Sequence, residues 1–329
     1  MIQEQATDPA PLARDEQLPK VKVKSAIGAR FGWLRGILRN PKAVFGLLIL
    51  IVFALTAALA PVVAKNSPSK FVGKPHQAPS AKYWFGTQGQ GKDVFAQTVW
   101  GARTSLTVGF ATGLLTTFFG IVIGMTAGYF GGWVDDVLSL FTNVVLIIPG
   151  LPLLTILAAF LSPGKGTIIL VLSLVGWAWP ARVMRSQTLT LRTKDFVASS
   201  IVAGENHFTI IFREILPNMT SLIASSMFGS IIYAIGAETS LSFLGLTNVS
   251  DVSWGTNLYW AQNNAGLLVG AWWTILPSGL CVALIAFALA MINYAMDEIT
   301  NPRLRAEREL SNVFKQRTVL ATPVIRDGK

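Results

Sequence analysis

A chain of 329 residues that is 52% hydrophobic and only 13% charged holds about half the charge of an average soluble domain, where roughly 25% is usual; it cannot clothe a water-facing surface of its own size. One cysteine, Cys281, excludes a disulfide framework, and the two histidines, His76 and His207, stand too far apart for the ligand spacings of zinc sites. The net charge of +10 would suit a nucleic-acid binder, but its distribution along the chain gives it another meaning.

Residues 1–42 are polar and basic. Their basic stretch is long and no small-residue cleavage pattern follows the next apolar run, so they do not read as a signal peptide. Residues 43–64 are then free of charge, long enough for the ~20 residues that a helix needs to cross hydrocarbon. Five further apolar runs follow at about 104–128, 137–161, 167–181, 217–245 and 270–293, the fourth cut short by Arg182. Lipid offers the backbone no partner, so runs this long are expected as helices. The expected fold class is all-α: a polytopic membrane protein of six transmembrane helices. A first helix at 43–64, an extracytoplasmic loop at 65–103, a five-helix core at 104–293 and a tail at 294–329 follow from the same boundaries. Lys and Arg number 20 on the side holding both termini and residues 182–213, against 7 on the other. The positive-inside rule therefore predicts cytoplasmic termini. The excess charge is topological, and no nucleic acid is expected as a partner.

The second run carries Gly120, Gly124 and Gly128 four apart, after Gly109 and Gly113. Such spacing lines one helix face and lets a neighbouring backbone approach. Just before this run, Gly86 to Lys92 fits the G-x-x-x-x-G-K phosphate-loop pattern. Asp93, however, stands where a Mg²⁺-binding hydroxyl belongs, no buried strand precedes it, and the predicted topology puts it outside the cell. Nucleotide binding is not expected there. Glu238 sits near the end of the fifth run, and a carboxylate in a membrane costs about 2.5–3.5 kcal/mol at mid-bilayer. Two roles fit it: a structural contact near the outer helix end, or a pore-facing or gating residue. Trp100, Trp254, Trp260, Trp272 and Trp273, with Tyr259, fall in or beside the outer segments, where the interfacial belt favours aromatics and where aromatics also stack on sugars.

The cytoplasmic stretch from Asp195 to Asn218 mixes Phe196, Val197, Ile201, Val202, Phe208 and Phe212 with charges and is broken by Gly204. The pattern predicts a helix, a glycine turn, a second helix and a proline at the start of the next span. Its apolar side chains need cover, from the chain's own membrane helices or from a partner protein.

This stretch resembles the coupling loop of ATP-binding-cassette importer permeases. The family pattern of Glu-Ala-Ala, a Gly after three intervening residues and a later Leu-Pro falls on Ala198-Ser199-Ser200, Gly204 and Leu216-Pro217, with Glu214 at the variable place. The acidic residue is lost at Ala198 and serines replace both alanines. A wider resemblance, from about Arg35 to Arg305, is to the C-type permease subunit of dipeptide, oligopeptide and nickel importers. It rests on Trp84-Phe85-Gly86-Thr87, Gly91-Lys92-Asp93-Val94, Gly101 to Leu106, Ala127 to Asp135, Leu241 to Leu246, Ser253-Trp254-Gly255 and Asn301-Pro302-Arg303. Gln88 and Lys92 depart from the family's usual Asp and Arg.

The resemblance implies a type I importer permease fold, with no catalytic residue, metal or cofactor in this subunit and with ATP and Mg²⁺ handled by partner ATPases. It implies a second homologous permease, two cytoplasmic ATP-binding subunits and an extracytoplasmic substrate-binding protein as partners. Residues Ala198, Ser199, Ser200, Gly204, Glu205, Phe208, Arg213, Leu216 and Pro217 would form the ATPase-coupling loop. Peptides are the expected cargo, with oligosaccharides the alternative. A stand-alone secondary carrier is the rival reading from another class, resting on Glu238 and the glycine-lined second span, and a membrane scaffold is a third.

Overall fold

The computed structural model describes residues 40–300, with Leu38 before them. The basic segment before these, the tail beyond Thr300 and the Asn301-Pro302-Arg303 stretch lie outside the described residues. Apart from two isolated bridges, Phe71 with Lys92 and Thr87 with Asp93, the regular structure of the described residues is helical.

Helix α1 (Pro41–Ala58) begins where Asn40 accepts from the Lys42 backbone N–H at 3.0 Å and Pro41 supplies a preset first turn. A short α2 (Ala60–Val63) follows. An extended but ordered loop then leads to α3 (Val94–Phe130), whose 37 residues make a rod about 55 Å long at ~1.5 Å per residue. That exceeds the ~30 Å of hydrocarbon, so α3 projects beyond the membrane. It starts at Val94 rather than near residue 104, because Asp93 caps it through the Phe95 N–H at 2.9 Å. Arg103 is accommodated on an exposed face, its guanidinium 5.9 Å from the Trp100 ring.

The run expected as one span at 137–161 is two helices, α4 (Gly132–Ile147) and α5 (Gly150–Phe160), bent by 88°. Pro149 cannot continue the α4 hydrogen-bond ladder and forces extended backbone on Ile148 (φ −69°, ψ 128°). The short fourth run extends well past Arg182: α6 (Lys165–Gly176) and α7 (Ala178–Arg192) meet at a break at Trp177. Among the described residues, five helical stretches are long and apolar enough to cross a membrane, or six when the bent α4–α5 pair is taken as one broken span.

After α8 (Asp195–Val202) the chain turns and re-enters helix at α9 (His207–Thr209). It runs on through a π segment, Ile210–Ile215, and a 3-10 segment, Leu216–Met219, into α10 (Thr220–Phe243). The fifth span therefore starts well before Pro217. A proline inside a helix lacks a donor and crowds the carbonyl four residues back; the backbone widens before it, with Leu216 N–H reaching Ile211 O, and tightens after it. Helix α11 (Trp254–Asn263) and a 3-10 turn (Trp272–Thr274) precede α12 (Leu276–Thr300).

Helix α3 is the axis of the molecule, and its glycine stripe explains how. A Cβ on Gly113 would lie 3.0 Å from the Ile231 backbone nitrogen of α10, and one on Gly109 would strike the Ile235 side chain. Further along, a Cβ on Gly124 would meet the Ala181 carbonyl of α7 and lie 2.8 Å from Met184 Cβ, and one on Gly128 would lie 2.8 Å from Arg185 O. The upper glycines thus seat α10 and the lower ones α7. Helix α1 lies against α12, with Phe45 and Phe287 edge to face at 6.4 Å and Asn40 Nδ2 donating to Glu298 Oε2 at 2.9 Å. Most other α1 side chains are exposed, as a lipid-facing helix requires.

Candidate functional site

At one end of the bundle, α8 and the start of the fifth span form a platform. Its apolar residues divide into two sets. Val197, Ile210 and Ile215 are buried and pack with Met125, Tyr129, Met184 and Met219 of the membrane helices. Phe196, Ile201, Val202, Phe208 and Phe212 remain exposed, Val202 at 88% and Phe208 at 71%, with the Phe208 and Phe212 rings parallel at 6.5 Å. Ala198, Ser199 and Ser200 lie on α8, the first two exposed, and both serine hydroxyls turn back onto backbone carbonyls of the preceding turn. Gly204 sits at φ +77° with open space where a Cβ would go. Glycine is required there by backbone conformation, not by crowding. Glu205, Arg213 and Pro217 are exposed and Leu216 is half-buried.

Two residues outside the predicted set tie this platform to the bundle. The Tyr129 hydroxyl and His207 Nδ1 are 2.9 Å apart, and the His207 ring lies edge-on to Tyr129 and Phe130. Tyr129 belongs to the Ala127-to-Asp135 stretch that the resemblance singles out, so its signal was present in the sequence, but its partner was not. On the neighbouring α4, Asp135 is paired with Arg185 of α7 and accepts from Ser139 at 2.9 Å.

Glu238 lies at the opposite end, 1% exposed and enclosed by its own chain. Ser105 Oγ of α3 donates to Glu238 Oε2 at 3.0 Å and Ser242 Oγ to Oε1 at 2.9 Å. Each hydroxyl is in turn a hydrogen-bond acceptor, Ser105 from the Trp254 backbone N–H at 3.2 Å and Ser242 from Thr247 Oγ1 at 3.0 Å. Two donor chains therefore converge on one carboxylate and join α3, α10 and α11. The arrangement is a staple near the helix end.

The loop before α3 carries the apparent phosphate loop, and its geometry is that of a folded cap. Thr87 is fully buried: its hydroxyl donates to Lys74 O at 2.7 Å and accepts from Gln77 N–H at 2.8 Å, and its carbonyl accepts from Trp273 Nε1 at 3.2 Å. Asp93 takes the helix N–H that a phosphate would need. Lys92 lies over the Phe71 and Trp260 rings at 5.6 and 6.0 Å, and desolvation holds its ammonium below the usual lysine pKa. Among the outer tryptophans, Trp254 is fully buried and donates to Thr98 O at 3.1 Å, Trp260 donates to Val249 O at 2.9 Å, and Trp272 stays 55% exposed. Trp254→Phe should therefore lower the thermal stability of the detergent-solubilised protein by about 1–3 kcal/mol, through a lost hydrogen bond and a residual void. An unchanged melting curve would show that this cap does not depend on it.

Residues 120–306 match the family described as binding-protein-dependent transport system inner membrane component, and residues 33–81 match the N-terminal TM domain of oligopeptide transport permease C. The chain belongs to this ABC importer permease family. Among its relatives, the dipeptide transport system permease protein DppC of Bacillus subtilis (strain 168) is 32% identical over 89% of this chain and 91% of its own length. The DppC protein of Alkalihalophilus pseudofirmus is 31% identical over 82% of this chain and 88% of its own. The oligopeptide transport system permease protein OppC of Bacillus subtilis (strain 168) is 29% identical over 83% and 90%. A chain from the inward facing MetNI methionine ABC transporter shares the fold, with a TM-score of 0.50 at 18% identity over 62% of this chain and 94% of that one. The permease is thus a multi-pass inner-membrane component, non-catalytic itself, of a system driven by partner ATPases and supplied by a binding protein.

Proposed function

We propose that this permease forms the membrane path of a dipeptide or oligopeptide importer, paired with a second homologous permease and served by two cytoplasmic ATPase subunits and an extracytoplasmic peptide-binding protein. The names of the DppC and OppC relatives support the cargo. The observation that carries the coupling role is the division of the 195–217 segment. Val197, Ile210 and Ile215 anchor it in the chain's own helices, while Phe196, Ile201, Val202, Phe208 and Phe212 are left bare.

In this reading those bare residues face the ATPases, and both termini are cytoplasmic. An ATPase that closes on ATP pushes the platform as a rigid piece, because its inner face is continuous with the α3 and α7 core. ATP closure and receptor docking then each bias one inward- or outward-facing equilibrium. The Tyr129–His207 contact is a direct polar link from platform to α3.

The double variant Val202→Asp, Phe208→Asp should leave the chain inserted and folded, since both sites are exposed, yet cut peptide uptake by the reconstituted importer at least roughly tenfold, the loss expected when interface anchors worth more than about 1.4 kcal/mol are removed. Val197→Asp should instead unfold the platform, burying a charge among apolar residues. Full uptake by the double variant would overturn the coupling role. Robust uptake by this chain alone, driven only by an ion gradient, would favour the secondary-carrier reading.

A further inference from the structure

A cavity of about 560 Å³ opens in the side of the bundle, bordered by both helix interruptions, Ile148 to Gly150 and Gly176 to Trp179, and by one face of α10 and Asn293 of α12. Its volume falls in the range of small-ligand sites, roughly 300–1,000 Å³. Broken helices at membrane depth persist only where protein or a cavity satisfies their backbone. Here two breaks serve the same cavity.

The lining has a definite chemistry. Ser226, Ser230 and Tyr233 present hydroxyls from α10, Trp179 an indole, and valine, leucine, isoleucine and glycine make up most of the rest. Asn293 lines the same space, and its buried Oδ1 accepts no hydrogen bond. Ser225 is already engaged, donating to Asp297 Oδ1 at 2.6 Å. Among the described residues, no Asp, Glu, Lys, Arg or His lines the cavity. Tyr233 spans the two breaks: its ring lies 3.6 Å from where a Cβ on Gly176 would stand, and its hydroxyl 3.8 Å from where one on Gly150 would stand. The opposite face of α10, with Ile231, Ile235 and Glu238, is consumed by packing on α3.

We infer that this cavity is a transit subsite for the main chain of a peptide, with Tyr233 and Ser230 meeting amide groups and the apolar walls receiving side chains. The inference rests on the peptide-importer reading above and adds where on this subunit the cargo is met. Neutral hydroxyls, each both donor and acceptor, suit peptide bonds, which carry one donor and one acceptor per residue. They make no distinction among uncharged side chains. The lining itself supplies no counter-ion to a fixed charge, and placing one there imposes a rule of sign on the cargo.

The test uses the complete reconstituted importer, with uptake of three peptides of equal length, one neutral, one acidic and one basic. Ser230→Asp should slow the acidic peptide relative to the neutral one by at least roughly tenfold and spare the basic one; Ser230→Lys should reverse the order, as like-charge juxtaposition costs several kcal/mol. In a Cys281→Ser background, a Ser230→Cys chain should react with a water-soluble maleimide and be protected by transported peptide. Equal effects of Asp and Lys on all three peptides, or labelling that peptide does not slow, would overturn the subsite while leaving the importer reading intact. Should the wild-type importer take up no peptide at all, both readings fall.

Discussion

Replacing Gly124 by leucine should abolish assembly of the importer while leaving insertion of the chain unaffected. Insertion depends on the apolarity of the run, which leucine preserves. Packing does not survive, because a Cβ at this position already meets the Ala181 carbonyl and comes within 3.0 Å of the Arg185 backbone nitrogen. These are backbone atoms of α7 and have no rotamer to escape into. Overpacking against yielding side chains costs about 1–3 kcal/mol; against backbone the helices themselves must separate, and Asp135 and Arg185 are pulled apart with them. Gly124→Ala should be intermediate. Val122, two residues earlier and so on the other side of the helix, 48% exposed, should tolerate leucine. Gel filtration of the complex and peptide uptake check all three, and normal assembly of the Gly124→Leu chain would show that α3 and α7 meet more loosely than described.

Glu238→Ala should cost about 2–4 kcal/mol, because two buried hydroxyls lose the acceptor on which they converge, at about 1–3 kcal/mol for each unsatisfied group. Interhelical hydrogen bonds in membranes average about 0.6 kcal/mol, so the expected loss stems from the stranded Ser105 and Ser242 hydroxyls more than from the bonds themselves. Glu238→Gln should be milder: the amide keeps one acceptor oxygen, and only one hydroxyl must find a new partner. A melting series of wild type, Gln and Ala in that order tests the staple. The gating alternative predicts a different outcome, unchanged melting with altered transport, and that result would overturn the structural role.

Much of the architecture was legible because hydropathy is a local property. The charge-free first run, the length of the apolar segments and the glycine turn at Gly204 each follow from a few neighbouring residues. Boundaries were less legible for equally physical reasons. Arg103 and Arg182 looked like the edges of spans, yet both lie inside helical spans, of 37 and 28 residues, that outrun the hydrocarbon, where a charged side chain on an exposed face is tolerated. Pro149 was in plain view within the third run, but whether a proline kinks a span or folds it back by 88° depends on what receives the second arm. Pro217 looked like the start of a helix and is instead absorbed by a π and a 3-10 turn within one.

What the sequence by itself determined is the class of molecule: a helical, charge-poor, inner-membrane permease whose 195–217 segment has the spacing of a coupling loop. Tertiary structure decided which side of that segment is available. Val197 and Val202 are alike in chemistry and five positions apart, but one is buried and the other 88% exposed, because Met125, Tyr129 and Met184 arrive from helices distant in the chain to cover only the first. Tertiary structure likewise decided that Glu238 is held by Ser105, 133 positions away, and that two separate helix breaks share one cavity. Hydrophobic period records how a residue faces within its own helix; which helices meet is set by close packing at Gly113 and Gly124, and no local pattern encodes the partner.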